Sequence, residues 1–389
     1  MTTTINNKHK KLNVPNLRFP EFQGEWEEHL LGNISDVTKL AGFEFTKYVT
    51  YEDTGSIIAI RGLNCKNGSL DLRDVKYIDN SDFSKLLRSK LYVGDILYTY
   101  VGTVGEVAVV DKNDKYYLAP NVSRIRLSKD YNSDFIKQLL GSKKFYNKIV
   151  FPLIATSSQP ALSMENLRRF KLRVPSIKEQ KKIASLFNAI DERIATQNKI
   201  IDKLQSLIKG IRNDVFGKLR KSVGFNAMIS DVLSYEQPQP YIVENTEYTA
   251  EGIPVLTANK AFVLGYTSET NGIYDKGDCI IFDDFTLDCK YVDFPYKIKS
   301  SAIKILTTKN KELLRYMFEF LKYLDLSTEE HKRHYIAETQ NQEFILPTMH
   351  IVSTIAHTFS ALSLRMESVV KQRNMFETQK LYLLRQMFI

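Results

Sequence analysis

The apolar residues between Pro175 and Phe216 recur in alternating steps of three and four. The members of this series are Ile183, Phe187, Ile190, Ile194, Ile201, Leu204, Ile208, Ile211 and Val215. Only Gln197 interrupts it, and charged residues such as Asp191 and Lys203 lie off the series. Heptad spacing places an apolar seam along one side of a helix, as in a coiled coil. The segment is therefore predicted to be one long helix that packs along this seam.

The same pattern returns 172 residues later, where Pro347 corresponds to Pro175. Seven of the nine positions are apolar again, and Arg373 and Lys380 stand in place of Ile201 and Ile208. Two helices with matching seams in one chain can pack on each other. The residues predicted to form the helix-pairing seam are Ile183, Phe187, Ile190, Ile194, Leu204, Ile355, Phe359, Leu362, Met366 and Phe376.

The segments before the two helices also correspond, although more weakly. Gly94 to Leu97 (Gly-Asp-Ile-Leu) matches residues 277–280 (Gly-Asp-Cys-Ile) at an offset of 183, and residues 154–156 match residues 336–338 at 182. The later offset of 172 makes the second copy ten residues shorter just before its helix. Runs of β-branched and aromatic residues bounded by Gly, Asn and Asp indicate strands in both segments. Short helices are expected at residues 133–149 and 311–324.

This pattern predicts an α+β protein with two mixed α/β domains, separated by two long helices that pair as an antiparallel coiled coil with an internal pseudo-two-fold. The predicted segments are a flexible tail (1–17), a first domain (18–170), a first spacer helix (171–222), a second domain (223–340) and a second spacer helix (341–389). A helix of about 40 residues is roughly 60 Å long. Such a rod could set the distance between two DNA-reading domains. A coil used only for dimerisation or scaffolding is the alternative.

Charge changes this picture, because it is uneven along the chain. Residues 1–222 hold 37 lysines and arginines against 24 acidic residues, a net charge of +13, whereas residues 223–389 hold 17 against 21. A basic half suggests a polyanionic partner such as nucleic acid. The three cysteines form no dense disulfide framework, which fits a reducing cytoplasm. The sequence has no apolar run of membrane-spanning length and no signal-peptide pattern at its start.

Several motifs resemble those of specificity subunits of type I restriction–modification systems. Residues 14–22 read Val-Pro-Asn-Leu-Arg-Phe-Pro-Glu-Phe, and residues 24–27 and 31–34 add Gly-Glu-Trp-Glu and Leu-Gly-Asn-Ile. Residues 174–184, at the start of the first heptad helix, read Val-Pro-Ser-Ile-Lys-Glu-Gln-Lys-Lys-Ile-Ala, and residues 204–216 are similar to the usual end of that helix. The second copy departs from the motif, since Ile351 and Val352 replace Glu179 and Gln180. The resemblance spans essentially the whole chain.

The resemblance implies two target recognition domains, each reading half of a bipartite site in double-stranded DNA. It also implies helices that space the domains and bind two modification (methyltransferase) subunits, with translocating restriction subunits joining that complex. The chemistry, with S-adenosylmethionine, ATP and Mg²⁺, would then lie on those partners, and this chain would carry no cofactor, metal or catalytic residue of its own.

The sequence itself contains no nucleotide-binding loop and no Asn/Asp-Pro-Pro-aromatic tetrad of an adenine methyltransferase. His331 and His334, near Glu329 and Glu330, could bind a metal ion. A solvated helix end is the favoured interpretation of this cluster. The acidic pair Asp283 and Asp284 could accept hydrogen bonds from cytosine amino groups, but solvent exposure is favoured there too.

Base reading requires polar side chains on loops. The candidates for DNA contact are Arg61, Asn64, Lys66, Tyr98, Tyr100, Thr103, Ser157, Ser158 and Gln159 in the first domain, and Thr257, Asn259, Lys260, Thr339 and Gln340 in the second. The alternatives are strand packing for the tyrosines and turn hydrogen bonding for the Ser/Thr/Gln loop.

Overall fold

A computed structural model of the chain describes residues 13–155, 159–258, 261–328 and 332–389. The chain divides into two compact units. Unit 1 comprises residues up to Thr196 together with Arg373–Ile389, and unit 2 comprises Gln197–Gln372. No helix in the described ranges is both long enough and apolar enough to cross a membrane.

Unit 1 contains a β-rich domain and parts of both long helices. Its strands are β1 (Glu27–Leu30), β2 (Ser35–Lys39), β3 (Ile58–Ile60), β4 (Cys65–Lys66), β5 (Ser69–Leu70), β6 (Lys76–Tyr77), β7 (Ile96–Thr99), β8 (Val107–Val109), β9 (Tyr116–Leu118), β10 (Val122–Leu127) and β11 (Lys171–Val174). Its helices are α1 (Leu31–Ile34), α2 (Gly42–Tyr48), α3 (Ser133–Leu140), α4 (Lys143–Phe145), α5 (Met164–Arg168) and the first part of α6 (Ile177–Ser222).

The central sheet of unit 1 is antiparallel, with strand order β2-β10-β7-β8. A second sheet has the order β6-β3-β9, in which β3 pairs parallel with β9. Strand β1 pairs with β11, just before α6 begins. Successive residues of β7 face different cores: Ile96 and Tyr98 join the core with α3 and α6, and Leu97 joins the core under the second sheet. Both faces of the central sheet are therefore buried.

Unit 2 repeats this plan. Its strands are β12 (Ala227–Met228), β13 (Ser234–Glu236), β14 (Ile253–Leu256), β15 (Val263–Thr267), β16 (Cys279–Asp283), β17 (Cys289–Val292), β18 (Lys297–Ile298), β19 (Ile303–Thr307) and β20 (Glu343–Phe344). Its helices are α7 (Ile229–Val232), α8 (Lys311–Leu324), the end of α6 and the first part of α9 (Met349–Met387).

The sheet orders β13-β19-β16-β17, β15-β14-β18 and β12-β20 match those of unit 1 strand for strand, and the parallel pairing of β14 with β18 corresponds to that of β3 with β9. Gly94 and Gly277, matched in sequence at an offset of 183, precede β7 and β16 and both have positive φ, of 90° and 102°. A residue with a Cβ rarely adopts that conformation. The predicted internal repeat and the α+β fold with two domains and two long helices are therefore confirmed.

Within each unit, considered by itself, the parts of α6 and α9 run antiparallel. In unit 1, Phe187 contacts Phe388 with ring centres 5.7 Å apart, and Lys380 forms a 2.6 Å ion pair with Asp191. In unit 2, Phe216 and Phe359 lie in one core. The predicted seam residues follow the least exposed side of both helices. Those that are buried are Ile183, Phe187, Ile190, Ile355 and Phe359, and those that are half-buried are Ile194, Leu204, Leu362, Met366 and Phe376.

The observed element bounds differ from the predicted segments in four places. Residues 171–174, assigned to the first spacer helix, form β11, and residues 343–344, assigned to the second, form β20. Part of the segment predicted as a flexible tail is tied to the fold, because Leu17 N donates to Gln386 O at 2.9 Å and Trp26 N donates to Asn13 O at 2.7 Å. The predicted helix at residues 133–149 is broken after Leu140, where Ser142 caps a new helical segment.

A buried ion pair joins the two motifs that the sequence singled out in unit 1. Arg18 binds both oxygens of Glu179, at 2.8 and 2.7 Å, and the Glu179 side chain is only 1% exposed. The neighbouring Gln180 accepts a hydrogen bond from Asn132 N and donates one to Pro175 O. Glu179 and Gln180 therefore connect the start of α6 to the motif at residues 14–22 and to the start of α3.

Replacing Arg18 by Ala should destabilise the fold, because it leaves the Glu179 carboxylate buried without its cation. Removing one partner of a buried pair costs about 3–5 kcal/mol. The measurement is the free energy of unfolding in urea. Arg169→Ala is the matched control, since it breaks an exposed pair with Glu165 and should cost under about 1 kcal/mol. Equal losses for the two variants would contradict the structural role of the Arg18–Glu179 pair.

Candidate nucleic-acid interface

Four connections of unit 1 meet at one edge of its central sheet. Tyr100, after β7, donates its backbone N–H to Asn121 O, before β10, at 3.1 Å. Gly62, after β3, lies so close that a Cβ built on it would be 3.5 Å from the Asn121 Cβ. Gly102 N donates to Pro160 O at 2.9 Å. These connections and the end of β2 carry five polar side chains, which we call the first rim. Four of them are exposed, Lys39, Thr103, Asn121 and Gln159, and Arg61 is half-buried.

The turn of the first rim between β7 and β8 is shaped by two glycines with positive φ. Gly102 has φ 78° and Gly105 has φ 100°. A Cβ on Gly105 would also lie 2.8 Å from the ring of Tyr146, which is too close for any side chain. The Gly102–Gly105 pair thus forms a turn, and this turn presents Thr103 to solvent.

Three of the predicted first-domain candidates, Arg61, Thr103 and Gln159, lie on this rim. Arg61 is partly committed to the protein, because its guanidinium binds the Asp74 carboxylate at 2.8 Å. Tyr100 is half-buried beneath the rim, with the Lys39 ammonium 5.3 Å from its ring centre. Lys66 is exposed on the β4–β5 hairpin nearby.

Two candidates are wrong as direct DNA contacts. Asn64 is fully buried, and its amide donates to Asp71 O and Asp74 O while its oxygen accepts from Arg61 N. It fixes the loop after β3. Tyr98 is fully buried on β7 against Phe170. Burial raises the pKa of Tyr98 well above its usual range, so this phenol stays neutral. Strand packing, the alternative considered for the tyrosines, applies to Tyr98.

Unit 2 assembles the equivalent connections at the equivalent edge. Lys299 N donates to Leu256 O, at the end of β14, and Asp284 N, at the end of β16, donates to Ala302 O before β19. His334 N in turn donates to Asp284 O at 3.1 Å. The polar side chains carried there are Thr257, Thr286, Lys299, Ser301 and Arg333, which we call the second rim.

Of the second-domain candidates, Thr257 lies half-buried on this rim. Thr339 is 1% exposed and is wrong as a base contact, since its backbone closes the turn after His334. Gln340 is half-buried and donates its amide to Ile336 O. The remaining candidates lie outside the described residues; they are Ser157, Ser158, Asn259 and Lys260.

Two expectations of solvent exposure in unit 2 are also wrong. Asp283 and Asp284 are 5% and 1% exposed. Asp284 lies 3.6 Å from the buried Lys304 ammonium and accepts from Tyr335 N, so a partner on another strand compensates its burial. His334 is buried and its ring pairs with Glu338 at 2.8 Å. His331, Glu329 and Glu330 lie outside the described residues, within which no group of three metal-ligating side chains occurs.

Sequence reasoning missed six rim residues: Lys39, Asn121, Thr286, Lys299, Ser301 and Arg333. Three of them are cations held over aromatic rings, Lys39 over Tyr100, Lys299 over Tyr248 and Arg333 over Phe285, at 5.3 to 6.0 Å. Lys39 is the last residue of β2 and Lys299 directly follows β18, whereas Arg333 lies in the connection between α8 and β20. Once strand ends are assigned, a Lys at a strand end or directly after it is the signal that could have found Lys39 and Lys299.

The three thiols offer no nucleophile. Cys65, Cys279 and Cys289 are buried and form no disulfide. Burial raises the pKa of Cys65 and of Cys279 to about 12, and that of Cys289 to about 11. These side chains remain protonated at neutral pH and pack as small apolar groups.

Residues 23–206 match the family model described as the type I restriction modification DNA specificity domain. This part of the chain is a type I restriction–modification specificity domain. It contains the first rim, the paired β1 and β11, and the first thirty residues of α6. The family resemblance drawn from the sequence motifs is therefore confirmed.

Comparison with curated proteins agrees with this match. The EcoR124I/EcoR124II type I restriction enzyme specificity subunit of Escherichia coli is 44% identical over 126 residues, which are 31% of this chain and 31% of that protein. The EcoKI specificity subunit of Escherichia coli strain K12 is 24% identical over 197 residues, covering 48% of this chain and 42% of that protein. The aligned region thus spans half or less of the length of these relatives.

A solved structure extends the similarity of fold beyond the specificity domain. The crystal structure of the type I restriction–modification S subunit from M. genitalium aligns with a TM-score of 0.68 at 15% identity. It covers 97% of this chain and 99% of that chain. The fold is therefore shared over both units and both long helices.

Asn64→Ala should destabilise unit 1, because it leaves the Arg61 N–H and the Asp71 and Asp74 carbonyls without their partner. A buried group left unsatisfied costs about 1–3 kcal/mol. Denaturant unfolding measures the loss. Asn80→Ala, which removes an exposed hydrogen bond to Glu52, is the control and should change the free energy of unfolding by under about 0.5 kcal/mol. If the Asn64→Ala variant is as stable as the wild type, the structural role of Asn64 is contradicted and this residue becomes a candidate for DNA contact again.

Proposed function

We propose that this chain is the DNA-recognition subunit of a type I restriction–modification enzyme, with each unit reading one half of a bipartite site in double-stranded DNA. The observation that carries the proposal is the pair of rims. Two domains built on the same strand order bring the same connections together, and the side chains differ between the two rims. Equal scaffolds with unequal contact residues suit two different half-sites.

The chemistry of the rims supports DNA as the partner. Each rim combines hydroxyl or amide groups with cationic side chains, as Thr103, Asn121 and Lys39 do in the first. Cations bind phosphates and position a protein on duplex DNA, whereas hydroxyl and amide groups can read base edges. The second rim carries Lys299 and Arg333 although residues 223–389 have more acidic than basic residues. Local charge at the rim, rather than the net charge of the unit, is what DNA would meet.

The long helices have the second role in this proposal. Their buried seam joins α6 and α9 within each unit, and their outer surfaces are left for two methyltransferase subunits, with restriction subunits joining the complex. Methyl transfer and cleavage, with S-adenosylmethionine, ATP and Mg²⁺, would occur on those partners. This chain would supply recognition and no catalytic group.

A non-catalytic scaffold that does not read DNA is the alternative function. It shares the coiled coil but gives no reason for exposed cations at the same edge of both sheets. The two proposals differ in a measurable quantity, the affinity of the chain for duplex DNA at low salt.

Replacing Lys299 and Arg333 together by Ala should weaken binding to random-sequence duplex DNA, measured with the methyltransferase subunit bound. Each lost phosphate contact lowers the slope of log K against log salt by about 0.9. If both cations contact phosphates, the magnitude of this slope should therefore be smaller by about 2 in the double variant than in the wild type. Lys309→Ala is the matched control, because Lys309 is exposed at the opposite edge of the same sheet, after β19, and should leave the slope unchanged. Undetectable affinity of the wild-type complex at low salt would favour the scaffold.

A further inference from the structure

A basic cleft opens in unit 1 away from the first rim, between the segment that follows α3 and the paired strands β1 and β11. It encloses about 370 Å³. Its polar wall carries four cationic side chains, Lys144, Lys148, Lys171 and Arg173, against one acidic side chain, that of Glu28. Lys171 and Arg173 both approach Glu28, at 3.2 and 3.5 Å, so one carboxylate is shared between two cations. The cleft therefore keeps a surplus of positive charge.

The floor of the cleft is apolar. Leu139 and Phe145 line it from below and are nearly buried, and the half-buried Ile149 forms part of its side. Lys144 donates to Phe388 O at 3.0 Å and closes one end. A phosphate backbone gains nothing from such a floor. A large apolar side chain gains burial there at about 25 cal/mol for each Å² removed from water.

The cleft exists because the helical segment after α3 is irregular. The chain breaks after Leu140, restarts as α4 and continues as a π-helical turn, Tyr146–Val150, which supplies Lys148 and Ile149. Single π-helical turns occur frequently at functional sites. The corresponding stretch among the described residues of unit 2 is α8, an unbroken helix of 14 residues. The break and the π-helical turn after α3 occur in unit 1, whereas α8 of unit 2 is regular. This difference indicates a function that belongs to unit 1 alone.

We propose that this cleft docks an acidic segment of the methyltransferase subunit, in which carboxylates flank one large apolar side chain. The apolar side chain fills the floor, and the carboxylates meet Lys148, Lys171 and Arg173. The inference rests on the proposed function for the identity of the partner. It adds a contact on the domain of unit 1, beside the start of α6, to the contacts proposed above for the outer surfaces of the long helices.

The test is the affinity of the full chain for purified methyltransferase subunit, measured by titration over a range of salt. Lys148→Glu/Lys171→Glu should weaken binding by about tenfold or more and flatten its salt dependence, because surface charges at an interface act mainly on association. Lys47→Glu/Lys129→Glu makes the same charge change at exposed positions of unit 1 outside the cleft and should leave the affinity unchanged. The unfolding midpoint of each variant checks that the fold is intact.

The outcomes separate this inference from the function it rests on. At saturating methyltransferase subunit, the cleft variant should modify the same DNA sequence as the wild type, since the rims are untouched. A wild-type affinity of the cleft variant for the methyltransferase subunit would overturn the docking site alone. Weaker DNA binding with unchanged methyltransferase affinity would assign the cleft to DNA and also overturn the proposal. A wild-type chain that binds no methyltransferase subunit would overturn both.

Discussion

Burial of both faces of the central sheet is the constraint on which each unit depends. In β7, Ile96 and Tyr98 face one core while Leu97 faces the other, and in β16 Ile280 and Phe282 alternate with Cys279 and Ile281 in the same way. A sheet covered on both sides has no face left for a ligand. Polar side chains that act on a partner must then lie on connections at the ends of its strands, and both rims lie there.

The same constraint links the domains to the long helices. One face of each central sheet packs into a core that also contains α6 or α9, so a domain and its helix cannot form independently. At the start of α6 this packing is reinforced by the buried Glu179, which meets Arg18, and by Gln180, which meets Asn132. At the corresponding place in unit 2, Val352 is fully buried and apolar. Unit 2 therefore has hydrophobic contact where unit 1 has the ion pair of Glu179 and the hydrogen bond of Gln180. This difference explains why the sequence motif is weaker in the second copy although the fold is the same.

The sequence predicted the long helices well and the rims only in part. A heptad seam is a local regularity, so Ile183, Phe187, Ile355 and Phe359 could be placed on a buried face from spacing alone. Tyr98 was misjudged because burial on both faces of a sheet depends on strands that are distant in sequence. Asp284 was misjudged for the same reason, since the cation that compensates it, Lys304, comes from another strand. Lys299 and Arg333 were missed because only the fold brings these positions to one edge.

In the proposed function, two unlike rims on two like scaffolds read two separate half-sites. The most direct measurement is methylation-sensitive sequencing of DNA modified by the enzyme assembled from this chain and its methyltransferase subunits. We expect two different blocks of specified bases, separated by a spacer of fixed length and unspecified sequence. A single continuous block, or modification without sequence preference, would contradict it.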